Sequence, residues 1–340
     1  MKTTKKILTV SALLLSFTVS AQQDIHYSQF YSPQLIINPA SAGMLNGQVR
    51  FMGNYRSQWS SIGTPFTTIS GSVDTRLFEG KMKNSFIGTG ITFYNDKAGD
   101  SKLTTGNYTF NLSYALEVAE NFYLSLGVQP GFIQKSISYS GLYFENQFNG
   151  IGFDQSAASY EPTASTSYST FDIGAGMYGV YRIDDRTSIY AGIAGMHLTS
   201  PNISFSGGTD NLYRKFTFHG GAEIGIKNTH LTVLPNTLMK FQGPNKIINF
   251  GTDLKYIFQE QSHFTGFVNE LSMSLGAYYR VGDAFWGVFQ FSWTGLTLSF
   301  SYDMNLSGLS VATNGNGGIE IGLSYRYGVG HGKGKTTRFL

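Results

Sequence analysis

The sequence predicts an all-β protein, a transmembrane antiparallel β-barrel of about 14 strands with an N-terminal segment plugging the lumen. Three observations carry this. The chain opens with an export leader, its composition is poor in charge and rich in glycine and aromatics, and two-residue alternation of apolar and polar side chains fills the remainder.

The leader spans residues 1–21. Lys2, Lys5 and Lys6 form a basic start, "ILTVSALLLSFTV" is a short apolar run, and Val19-Ser20-Ala21 offers a small-residue cleavage site. The run is too short for a spanning helix, and no stop-transfer charges follow. No cysteine follows it, which excludes a lipoprotein. The formal net charge of +3 equals the three leader lysines, so the processed chain is near neutral. With no clustered Lys/Arg face, nucleic acid is not an expected partner.

Charged residues make up 13% of the chain and aromatics 15%, and 41 of 340 residues are glycine. Soluble domains carry about 25% charge and about 7% glycine. After Ala21 no apolar run approaches the ~20 residues of a membrane helix. An exported chain of this kind fits an outer-membrane barrel; a soluble β-sandwich would carry more Lys and Glu on its outer faces.

Alternation places the strands. In "LTLSFSYDMNL" (296–306), Leu296, Leu298, Phe300, Tyr302, Met304 and Leu306 share one face, opposite Thr, Ser, Asp303 and Asn305. "LSMSLGAYYRV" (271–281) and "IEIGLSYRY" (319–327) repeat the pattern. The stretches fall at 46–56, 65–78, 85–95, 103–118, 121–138, 169–182 and 186–198. They continue at 213–226, 229–242, 246–258, 268–281, 284–293, 295–306 and 317–327. Apolar faces would meet outer-membrane lipid, and small polar ones a wet lumen. The barrel is thus one unit over 46–327, followed by a tail at 328–340. Connections at 57–64, 96–102, 139–168, 199–212 and 307–316 should lie outside, and those at 118–121, 184–187 and 294–295 inside.

Residues 22–45, ahead of the first strand, contain "IINPASAG" (36–43). The segment is too apolar to hang in water and too broken to cross lipid, and irregular backbone at membrane depth survives only inside protein. Asn38, Pro39, Ala40 and Gly43 are therefore its plug candidates, with Pro39 at the first position of a short helical start. Alternation points a set of charges into the lumen: Arg50, Arg56, Asp74, Arg76, Glu117, Glu223, Asp253, Lys255, Arg280, Asp303, Glu320 and Arg326. Mixed signs suit internal pairs that brace the barrel and hold the plug; a selectivity lining is the alternative.

Catalytic and metal chemistry find little support. The six histidines have no ligand spacing, and neither His-Glu-x-x-His nor G-x-S-x-G occurs. "GAGMYG" (174–179) matches a dinucleotide fingerprint by letter, but it lies in a strand, where glycine permits close packing. Neither cofactor nor enzymatic activity is expected.

Several stretches together carry a resemblance. They are "HYSQFY" (26–31), "INPASAG" (37–43), "NYRSQWSSIGTPFTTISGSVD" (54–74), "GITFYNDKAGD" (90–100), "SLGVQPGFIQKSIS" (125–138), "SMSLGAYYR" (272–280) and the closing "SYDMNLSGL…GGIEIGLSYRY" (301–327). The chain resembles the PorP/SprF family of type IX secretion system outer-membrane proteins. That resemblance implies a non-catalytic role in export or surface attachment of particular large cell-surface proteins, including adhesins of gliding motility. It also implies two kinds of partner, a cargo with a C-terminal targeting domain and other type IX secretion components. A plugged or gated channel for small solutes is the alternative function.

Overall fold

The computed structural model describes residues 24–328, apart from 62, 140–141, 155, 159, 161–166, 185, 206–207, 260–269 and 309. The leader (1–21) and nearly all of the tail (328–340) lie outside the described residues. The strands are β1 (Val49–Gln58), β2 (Phe66–Leu77), β3 (Ser85–Ala98), β4 (Leu103–Ala119), β5 (Phe122–Ser136), β6 (Ser167–Asp184) and β7 (Thr187–Met196). They continue as β8 (Lys215–Gly225), β9 (Leu231–Gln242), β10 (Asn245–Gln259), β11 (Leu271–Arg280), β12 (Ala284–Trp293), β13 (Leu296–Asn305) and β14 (Asn316–Tyr327). Each pairs antiparallel with its sequence neighbours, and β1 pairs with β14 to close the barrel. All fourteen predicted strands are present, with ends shifted by at most three residues.

Closure removes every sheet edge, so the wall satisfies its own backbone groups as a lipid-facing structure must. The two faces separate as the alternation requires. Leu275, Leu298, Phe300 and Leu323 are exposed on the outer surface, while Ser274, Ser301, Asp303 and Glu320 are buried inside. Rings pair across strands on that outer surface, as in Phe132 with Phe171 and Phe218 with Phe241. Among the described residues, no helix is long and apolar enough to cross a membrane.

Two prolines interrupt the ladder where their missing N–H would be needed. The β4–β5 pairing lapses between Thr109–Gly131 and Leu112–Val128, around Pro130. The β8–β9 pairing lapses between Gly221–Asn236 and Ile224–Val233, around Pro235.

The connections sort by end as expected. Those after β1, β3, β5, β7 and β13 lie at one end, and those after β4, β6 and β12 at the other. The first end carries the two longest connections, 137–166 and 197–214, and is the outer end by the rule that external loops are the longer ones. Length does not alternate everywhere. The outer connections at 243–244 and 281–283 are tight, whereas the inner one at 78–84 is not.

Apolar packing inside the barrel is made against the amino-terminal segment. Ala40 and Met44 cluster with Phe86, Ala115, Tyr178 and Val180, and Phe30 clusters with Leu238, Tyr278, Trp286 and Val288.

Candidate functional site

Residues 24–48 run through the lumen and touch inward-facing groups on most of the wall. Near mid-lumen, Asn38 caps a short 3-10 turn, Pro39–Ser41, with Pro39 at its first position. The Asn38 side chain accepts from Ala40 N at 3.0 Å and donates to Met177 O at 2.9 Å and Ile193 O at 3.3 Å. It therefore shapes its own turn and ties that turn to β6 and β7.

The wall yields space for the turn at glycines. A Cβ on Gly88 would stand 2.0 Å from Ala42 O, one on Gly127 2.5 Å from Ala40 N, and one on Gly176 2.1 Å from Asn38 Oδ1. Gly176 belongs to the "GAGMYG" stretch, where close packing is the role the structure gives it. Gly43 has φ +72°, and its own Cβ would meet Gly88 Cα at 2.8 Å, so both conformation and space require glycine.

The inner end is fastened by charge. Gly43 N donates to Asp74 Oδ2 at 2.9 Å. Arg50 bonds both oxygens of Asp74, at 2.8 and 2.9 Å, and donates to Gln34. Arg76 donates to Gly43 O at 3.1 Å and also to Leu45 O. In mid-lumen, Gln129 Nε2 donates to Leu35 O at 3.1 Å. Tyr31 stacks on Tyr278, which stacks on Trp286 of the wall.

Toward the outer end, Ser28 sits among Arg56, Asp303 and Glu320. Its N donates to Glu320 at 2.8 Å and its Oγ to Asp303 at 2.7 Å. Arg56 pairs with Asp303 at 2.9 Å and Glu320 at 3.1 Å, and also donates to Ser28 Oγ. Two carboxylates on one guanidinium brace a structure through charge-assisted hydrogen bonds.

Outermost lies Asp24, which is buried. It accepts from Tyr94 OH at 3.0 Å, pairs with Lys215, and meets His197 Nε2 at 3.3 Å. His197 Nδ1 lies 2.7 Å from Asp172. Burial disfavours charge on His197, but its hydrogen bonds to Asp172 and Asp24 outweigh this and raise its pKa above the ordinary histidine value.

The predicted plug residues Asn38, Pro39, Ala40 and Gly43 all lie in this buried turn. Of the predicted lumen charges, Arg50, Arg56, Asp74, Arg76, Asp303 and Glu320 reach the segment. Asp253 bonds Tyr278 of the wall, and Arg280 pairs with Asp283 and lies over Trp286. Glu223 lies 3.8 Å from Lys255, and Arg326 is half-buried on β14. Glu117 stands at the inner end of β4 and accepts from Asn121 N in the adjacent turn. The sequence reading missed Asp24, Ser28, Tyr94, His197 and Lys215. For Asp24 and Ser28, a polar residue inside an apolar segment was the one available signal.

The outer connection 137–166 is internally ordered where described. Gln147 Nε2 donates to Ala157 O at 2.9 Å, and Phe153 packs on Tyr143 and Phe148. Ile151 and Tyr160 stand 97% and 85% exposed, which marks an outward apolar surface.

The signature of type IX secretion system membrane protein PorP/SprF matches residues 19–325. No curated protein sequence matches the chain closely. Among solved structures, a toluene transporter TbuX of Ralstonia pickettii shares 11% identity, with 87% of this chain and 94% of that one covered at a TM-score of 0.49. A TodX monoaromatic hydrocarbon channel mutant shares 10%, with 86% and 93% covered at 0.50. A FadL homologue of Pseudomonas aeruginosa shares 11%, with 86% and 93% covered at 0.45. At such identities the likeness is one of fold. With its signature matched over nearly the whole barrel, this outer-membrane β-barrel belongs to the PorP/SprF family of the type IX secretion system.

Proposed function

We propose that the protein is the outer-membrane station at which the type IX system exports or attaches particular large cell-surface proteins, of the adhesin or gliding type. The observation that carries this reading is a family match over nearly the whole barrel of a chain whose amino-terminal segment packs against the inner wall. A segment seated in this way suits a holding role better than free passage. Residues 24–45 are the plug, held by Asp74, Arg76, Asp303 and Glu320. The cargo, with its C-terminal targeting domain, meets the 137–166 connection, whose exposed aromatic and aliphatic side chains offer anchors beside Asn and Ser hydrogen-bonding groups. Other type IX components complete the assembly. The protein performs no catalysis and carries no cofactor.

Deletion followed by a census of surface and secreted proteins tests the reading. Loss of one or a few large surface proteins is expected, with small-solute uptake unchanged. An unaltered surface together with impaired uptake of a small solute would overturn it in favour of a gated channel. Shortening 137–166 should leave the barrel folded and reduce the same cargo.

A further inference from the structure

The contacts of residues 24–48 progress from the outer end of the barrel to the inner end, save that Gln34 already reaches Arg50 near the inner end of β1. Asp24 meets Lys215, the first residue of β8, and His197, which follows the last residue of β7; both lie at the outer end. Ser28 meets Asp303 and Glu320 in the outer halves of β13 and β14. Asn38 meets Met177 and Ile193 near mid-strand in β6 and β7. Leu45 meets Arg76, near the inner end of β2, and Gln48 N donates to Tyr327 O where β14 ends. The segment therefore descends from the outer end to the inner end before turning into β1. The distance is easily covered. A strand of 10 residues such as β1 spans about 25 Å of axis at about 40° tilt, against about 80 Å of available contour.

We propose that the amino terminus of the processed chain lies at the cell-surface end of the barrel, beside the 197–214 connection. Cleavage after Ala21 leaves two residues ahead of Asp24, a reach of about 7 Å. The anchor that fixes this end is buried on every side. Asp24 is gripped by Lys215, His197 and Tyr94, and Lys240 donates to the neighbouring Ile25 O at 3.0 Å. A partner approaching from outside thus meets the chain's own first residues next to its long loops, although the remainder of the segment lies within the lumen. The direction of the segment is the same whether or not the lumen ever conducts.

The chain has no cysteine, so single introduced thiols report position without background. Gln23→Cys is compared with Ile151→Cys in the long connection and Lys83→Cys in the β2–β3 connection at the opposite end. Intact cells are treated with a polymer-linked maleimide that does not cross the outer membrane, and then again after breakage. Gln23→Cys is expected to react on intact cells as Ile151→Cys does, with Lys83→Cys reacting only after breakage. A thiol at position 23 that follows Lys83→Cys would overturn the inference. If crowding blocks that thiol throughout, a short epitope placed directly after Ala21 gives the answer. Antibody binding to intact cells supports the inference, and binding only to broken cells refutes it. Heat-dependent gel migration confirms that each variant is folded.

Discussion

Gly88→Ala isolates the seat of the amino-terminal segment from the rest of the barrel. The added Cβ would lie 2.0 Å from Ala42 O and 2.5 Å from Ala42 C, where ordinary contact begins at 3.4 Å. Backbone, not a flexible side-chain tip, must therefore retreat by more than an ångström. It is already held by Ser113 Oγ, which donates to Ala42 O at 2.8 Å, and by Asp74 on Gly43 N. Overpacking of this kind costs about 1–3 kcal/mol. At about 1.4 kcal/mol per tenfold, the population with an unseated segment should rise from several-fold to a hundred-fold or more. Gly53→Ala is the control, since its Cβ would meet nothing nearer than Ser70 O at 4.0 Å. In planar bilayers, Gly88→Ala should show more frequent open events than Gly53→Ala, with both proteins folded. Equal conductance and equal thermal stability in the two variants would show that the seat does not hold the segment.

Other outcomes follow from the same geometry. Leu298→Arg places a charge on the lipid face, which costs about 2–4 kcal/mol near the midplane; heat-modified gel migration should show poorer assembly than for Ser299→Arg, whose side chain faces inward. Arg56→Ala strands Asp303 and Glu320 in a buried site and should cost about 3–5 kcal/mol in a urea titration. Because the His197 pKa is raised, its stabilisation is complete below about 6.5 and is lost as pH rises through the raised value. Protection of the Asp24 region in hydrogen exchange should fall over that range, and His197→Gln should remove the dependence.

The wall was legible because its rule is local. Each residue of β13 declares its face by parity alone, so Asp303 and Leu298 could be assigned without knowing any partner. Parity also turned Arg56, Asp74 and Glu320 inward. It could not pair them, because pairing depends on curvature and closure. In β9, Pro235 interrupts the alternation and the ladder at the same point. The amino-terminal segment announced itself through Pro39 and a surplus of apolar residues. Its fastenings did not, since Ser28 and Asp303 are 275 residues apart in sequence. Glycine at 88, 127 and 176 looked ordinary in a chain with 41 of them. Only the course of the backbone shows which ones yield space.

Ser28 touches β14 through Glu320, while Arg56 of β1 reaches the same carboxylate, so the seam between the first and last strands is stapled by residues that precede both. This gives the barrel a means of checking its own completion. The stretch around Ser28 has its full set of partners only when the latest-made strand arrives, and the entropy of bringing such distant residues together is offset only then. A chain truncated before β14 loses the closing strand and the Ser28 contact with Glu320 in one stroke. Such a product would carry an open edge and an exposed apolar stretch, both of which invite aggregation. Finished copies, by contrast, hide both.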